Sequence, residues 1–83
     1  MFKILPLSKK IQKLLQKHSL KKKFEKQIKL LAQNPKHPSL HLELLEPKEY
    51  GIYSFRIDRK FRALLFFHSR EKVEILNITI HYH

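Results

Sequence analysis

The 83-residue chain contains no cysteine and a single glycine. Without thiols there is no disulfide framework, no cysteine nucleophile and no cysteine-ligated zinc, and a reducing, cytoplasmic setting is expected. One glycine cannot supply the glycine-rich loops that cradle phosphates in Walker or dinucleotide-binding folds. No apolar run approaches the roughly 20 residues of a membrane span, and the N-terminus lacks a signal-peptide pattern, so no membrane partner is expected. The length allows one small domain, 1–83, and excludes barrel and doubly wound enzymes. Acidic residues are also scarce: seven Asp and Glu face eighteen Lys and Arg, for a net charge of +11.

What is present can fold. Apolar residues make up 42% of the chain, with six Phe and three Tyr, which is enough for a core. The charge points to an anionic partner such as nucleic acid or an acidic protein. It is unevenly spread. Residues 1–37 carry eleven Lys and only Glu25 as an acid, whereas all four Arg (Arg56, Arg59, Arg62, Arg70) lie in residues 38–83, where the net charge is only +1. Lysine is a mobile point charge suited to long-range attraction, and arginine offers a planar fork that matches phosphate oxygens. For an individual lysine the plain reading is a solvated surface group.

The hydrophobic period divides the chain. Phe2 to Leu5 reads as a short strand stopped by Pro6. Ser8 is placed to cap a helix in which Ile11, Leu14, Leu15 and His18 follow the spacing of one buried face. Ser19 is a candidate cap for a second helix carrying Leu20, Phe24, Ile28 and Leu31 inward, and that helix ends at Asn34-Pro35. Asn34 to Pro38 is a connector. Beyond it the period becomes two: Tyr53, Phe55 and Ile57, then Phe61, Ala63, Leu65 and Phe67, then a β-branched run from Val73 to Ile80. The order predicts an α+β domain, strand, two-helix hairpin, then an antiparallel meander (β-α-α-β-β-β).

The turn at Asp58-Arg59-Lys60 fixes a register. If Ile57 meets Phe61, then Arg56 meets Arg62, and both point away from the apolar set. A two-residue turn would split the apolar residues between faces, so the three-residue turn is preferred. Like charges directly opposed are destabilising. An anion therefore belongs between the two arginines, or they diverge into solvent.

The stretch Tyr53-Ser54-Phe55-Arg56-Ile57-Asp58-Arg59-Lys60-Phe61-Arg62-Ala63-Leu64-Leu65-Phe66-Phe67 resembles the central hairpin of the RelE/ParE superfamily of toxins from toxin–antitoxin pairs. Asn34 to Leu40 is similar to that family's helix-to-strand connector, and His81-Tyr82-His83 to the histidine–tyrosine ending of the YoeB-type branch. The resemblance implies a RelE-like fold, an acidic antitoxin as partner, and ribosome-dependent cleavage of messenger RNA without metal or other cofactor. Carried over residue by residue, it puts the motif arginines on Arg56 and Arg62 and the terminal histidine on His81, with His83 as the alternative. The adjacent tyrosine falls on Tyr82, and the base glutamate on Glu43, with Glu46 as the alternative. The superfamily also contains gyrase inhibitors of the same fold, and fold alone does not fix activity.

These residues suit the chemistry. Cleavage by 2′-OH attack needs a base, cations for the phosphorane-like transition state and an acid for the leaving 5′-oxygen. Glu43, the two arginines and His81 fill those roles, and Tyr82 can stack on a base. Arg59, Lys60 and His83 would attract RNA phosphates. The plain readings are exposed strand-edge charges for Glu43, Glu46 and Glu49, and a partly buried His18. His37 and His41 read as solvated. His81 and His83 could share a strand face, but with no third ligand at a recognisable spacing no metal site is expected. The rival functions are a gyrase-binding toxin and a catalytically degenerate nucleic-acid-binding module.

Overall fold

The computed structural model describes residues 3–80. Five strands form one sheet: β1 (Lys3–Ile4), β2 (Glu43–Leu44), β3 (Ile52–Arg56), β4 (Phe61–Phe67) and β5 (Lys72–Ile80). Two helices, α1 (Lys9–Lys17) and α2 (Lys21–Gln33), lie between β1 and β2, and single 3-10 turns occupy Pro38–Leu40 and Lys48–Tyr50. The strand order is β1-β5-β4-β3-β2; β1 runs parallel to β5 and every other pair is antiparallel. The chain therefore starts near one edge, crosses one face as the helical hairpin, reaches the opposite edge at β2 and walks back through the meander to β1.

This is the expected α+β order with one strand more. β2 is two residues long, too short to show an alternating pattern, and its pairing of Glu43 with Ser54 and Leu44 with Tyr53 carries Glu43 into the sheet.

The helices begin and end for local reasons. The Ser8 side chain caps α1, accepting from the Ile11 amide at 3.2 Å. The expectation that Ser19 caps α2 is not met. Ser19 instead has a left-handed backbone (φ 54) and closes α1: its amide donates to the Gln16 carbonyl at 3.2 Å, while the Leu20 amide reaches back to Leu15 at 2.8 Å. This pair of bonds satisfies the Gln16 and Leu15 carbonyls near the end of α1, and Leu15 and Leu20 are both buried in the core. Leu20 then precedes α2 with no side-chain cap.

The core lies between the hairpin and one sheet face. Ile11, Leu15, Leu20, Phe24 and Leu31 cover Phe55, Ile57, Ala63, Leu65, Val73 and Ile75, with Leu40 sealing the connector side. Phe24 and Phe55 meet with ring centroids 6.1 Å apart, and the His18 ring lies 4.7 Å from Phe61, which gives this half-buried histidine a packing role. Each fully buried Leu, Ile or Phe contributes roughly 1.5–3 kcal/mol relative to exposure, so this single layer holds the domain together.

The apolar face includes Tyr53, Phe55, Ile57, Phe61, Ala63, Leu65 and Phe67, as the alternation predicts, with the two end aromatics Tyr53 and Phe67 half-buried and in edge-to-face contact at 5.2 Å. The register is the expected one too: Arg56 lies opposite Arg62, and the Ile57 amide donates to the Phe61 carbonyl at 2.9 Å. One irregularity interrupts the meander. Leu64 pairs with Asn77 but Leu65 with Ile75, so a bulge leaves Leu76 out of the ladder and 38% exposed.

Candidate functional site

Cross-strand partners share a face, and so do residues two apart along a strand. The pairings therefore build two rows on the face turned away from the helices. One row is Arg56–Arg62–Thr79; the next, about 7 Å along the strands, is Glu43–Ser54–Leu64–Asn77. Three of the residues singled out in the sequence, Glu43, Arg56 and Arg62, thus come together.

The two arginines do not splay equally into solvent. Arg62 is only 6% exposed, although arginine is almost never buried unless paired. Its Nε donates to the Ser54 hydroxyl at 3.1 Å and its Nη2 to the His41 carbonyl at 2.6 Å. His41 follows the Pro38–Leu40 turn in a left-handed conformation (φ 45, ψ 49), an uncommon backbone for any residue but glycine. Arg56 is half-buried. Burial pushes the Arg62 guanidinium below its usual pKa; nearby Glu43 opposes that shift and Arg56 adds to it. Arginine stays charged through such shifts, so the result is a fixed cation with a carboxylate and a second cation beside it.

A second buried polar group braces the same region. Gln27, on the inner face of α2 and 6% exposed, donates from Nε2 to the Arg56 carbonyl at 2.8 Å and to the Ser39 carbonyl at 3.2 Å. The connector is thereby tied to the helix through Ser39 and to the arginine row through His41. Among the described residues no buried side-chain nitrogen or oxygen lacks a partner.

The other expected site residues are elsewhere. Arg59 and Lys60 are exposed at the β3–β4 turn. There the Asp58 carboxylate accepts from the Lys60 and Phe61 amides at 2.9 and 2.8 Å, and Lys23 bonds its other oxygen at 3.2 Å. Burial alone would raise the Asp58 pKa; the two amides and Lys23 outweigh it and hold the carboxyl below its ordinary value. Glu46 is exposed beyond β2, outside both rows, and precedes Pro47. His81, Tyr82 and His83 lie outside the described residues; the last described pairs of β5 are Thr79 with Arg62 and Ile80 with Phe61. His37, read as solvated, is half-buried, and its Nδ1 accepts from the Ser39 amide at 3.2 Å.

Ser54, His41 and Gln27 carry no catalytic signature in the sequence. Ser54 has a weaker signal, since it points the same way as Arg56 in the alternation of β3. His41 acts here through its backbone oxygen, which no side-chain pattern reveals. Among the described residues no three His, Asp or Glu converge as metal ligands. A groove of about 720 Å³ lies on the hairpin, between Leu7, Leu15, Gln16, Lys22 and Phe24. It belongs to the helical side and holds none of the arginine row.

No family model matches the chain. An uncharacterized protein of Haemophilus influenzae is 43% identical over 44 residues, which is 53% of this chain and 43% of that protein, so the chain matches less than half of that relative's length. Solved structures match more completely. A copper-bound mutant toxin from Helicobacter pylori aligns over 98% of this chain and 96% of its own, with a TM-score of 0.74 and 20% identity. A YoeB/ParE toxin from Agrobacterium tumefaciens aligns over 98% and 100%, with a TM-score of 0.70 and 18% identity. At these identities the likeness shows the fold: this is the small α+β fold of the RelE/YoeB-like toxins.

Proposed function

We propose that this chain, having the fold of the RelE/YoeB-like toxins, is the toxin of a toxin–antitoxin pair and a ribosome-dependent, metal-independent endoribonuclease acting on messenger RNA in the cytoplasm. The observation that carries the reading is the buried, doubly bonded Arg62 beside Arg56, with Glu43 in the neighbouring row. Burying a cation is costly, and a sheet face that keeps two of them adjacent is suited to an anion.

In this reading Glu43 takes the proton from the ribose 2′-OH. The 2′-oxygen attacks the adjacent phosphorus, Arg62 and Arg56 neutralise charge on the non-bridging oxygens, and the 5′-oxygen leaves with a proton from His81. The products are a 2′,3′-cyclic phosphate and a free 5′-hydroxyl. Thr79 and Ile80, the last described residues of β5, lie opposite Arg62 and Phe61. Tyr82 would stack on a base, and Arg59, Lys60 and His83 would draw in flanking phosphates. An acidic antitoxin segment would neutralise the protein by covering the arginine row.

Primer extension on a message translated in a reconstituted system tests the proposal. The chain should introduce new cuts within ribosome-bound codons, and Arg62→Ala or His81→Ala should each reduce them about 100- to 1000-fold. No cut, or cuts indifferent to both changes, would refute it. The likeness to a YoeB/ParE toxin supports a second reading, a toxin that binds gyrase without cleaving RNA. In that case toxicity survives His81→Ala and is lost on altering the hairpin surface.

A further inference from the structure

We propose that the Ser54 hydroxyl and the His41 carbonyl are positioning elements that fix the Arg62 guanidinium, leaving its remaining donors as a pre-set fork for the phosphate. The inference rests on the nuclease reading for its kinetic consequence and on geometry alone for its structural part.

A guanidinium has five N–H donors in one plane. Arg62 commits one from Nε to Ser54 and one from Nη2 to His41, which leaves three. Two bonds to groups on different segments fix the plane as well as the position: Ser54 belongs to the neighbouring strand and His41 to the connector. Ser54 is itself 2% exposed, so water does not compete for its hydroxyl. The connector must hold a left-handed residue at 41 to aim that carbonyl, and it is pinned two residues earlier by Gln27 through Ser39. The arrangement answers the problem posed by Arg56 directly opposite. An arginine free to rotate would swing away from its like-charged partner, and this one is held in place. Displacing a catalytic group by about 1 Å can cost on the order of 100-fold in rate.

The experiment has two readouts. The first is hydrogen exchange of the Arg62 Nε–H, followed by nitrogen-15 NMR on the free protein. It should be strongly protected in the wild type and lose at least tenfold of that protection in Ser54→Ala. The second is single-turnover cleavage of ribosome-bound message. Ser54→Ala should lower the maximal rate roughly 10- to 100-fold while the concentration for half-maximal rate changes less than threefold, and Ser54→Thr, which keeps the hydroxyl, should restore most of the rate. At the connector, His41→Gly keeps both the carbonyl and the positive φ, whereas a β-branched residue resists that φ. His41→Val should therefore cleave at least tenfold more slowly than His41→Gly. An unprotected Nε–H in the wild type would overturn the inference. So would a wild-type rate for Ser54→Ala in a preparation where Arg62→Ala abolishes cleavage. If Arg62→Ala itself cleaves normally, the nuclease reading is what fails, and the exchange measurement alone decides whether Ser54 fixes Arg62.

Discussion

On the helical side of the sheet, α1 carries four lysines and α2 five, all exposed, and among the described residues only Lys23 of these makes an ion pair, with Asp58. On the other side a single buried arginine is held by a hydroxyl from the adjacent strand and a carbonyl from the connector. The same sign of charge is thus deployed in two ways. Flexible lysines in water create a field that gathers anions and is screened by salt beyond roughly 10 Å. A fixed guanidinium in a water-poor site can act on one phosphate at one position. The sheet and the apolar core on its helical face separate the exposed lysines from the held arginine, which in the proposed reading separates attraction from chemistry.

The comparison breaks most severely at the layer between the sides. Phe55 is fully buried, and Phe55→Ala should cost about 3–5 kcal/mol, most of the stability of so small a domain, read as a collapse of the thermal melt. A melt shifted by only a degree or two would mean the core is not the one described. On the arginine side the effect should fall on function. Arg62→Lys keeps the charge but not the fork, and should reduce cleavage about 100-fold or more with the secondary structure intact by circular dichroism. Near-normal cleavage would show that charge alone suffices there.

The lysine side should respond to salt. Replacing Lys22, Lys26 and Lys29 by Gln should flatten the salt dependence of RNA association, by about 0.7 in log–log slope for each phosphate that a lysine no longer neutralises, without changing the rate at saturation. An unchanged slope would remove the hairpin from the attraction. The smallest effect should come from the Asp58 turn that links the two sides. Its carboxyl titrates below the ordinary 3.8 in the folded protein, so it stabilises the fold at neutral pH. That stabilisation is lost as pH falls through the depressed value. Asp58→Asn should therefore cost roughly 0.5–1.5 kcal/mol at pH 7, and the gap from wild type should close in acid. A gap that widened in acid would contradict the sign.

Much of this architecture was legible in the sequence because burial imposes a period. The two arginines could be set opposite one another before any coordinates, since only a three-residue turn keeps Phe55, Ile57, Phe61 and Ala63 on one face. Short or backbone-driven features were not legible. β2 spans only two residues, so Glu43 could be read as a strand-edge charge, or as a base by resemblance, but its pairing with Ser54 could not be derived. Ser19 has the composition of a cap, yet its left-handed backbone and the Leu20 amide's bond back to the Leu15 carbonyl make it the end of α1. The carbonyl of His41 has no side-chain signature, and Gln27 lies on a helical face where the period calls for an apolar residue.

The central claim is that phosphate is met on the arginine face. It is tested most directly by titrating the nitrogen-15-labelled protein with a short 2′-O-methyl oligoribonucleotide, which lacks the attacking hydroxyl. The Nε resonances of Arg56 and Arg62 and the amides of Glu43 and Ser54 should shift together and saturate. Shifts confined to α1 and α2, with the arginine resonances unmoved, would contradict the account.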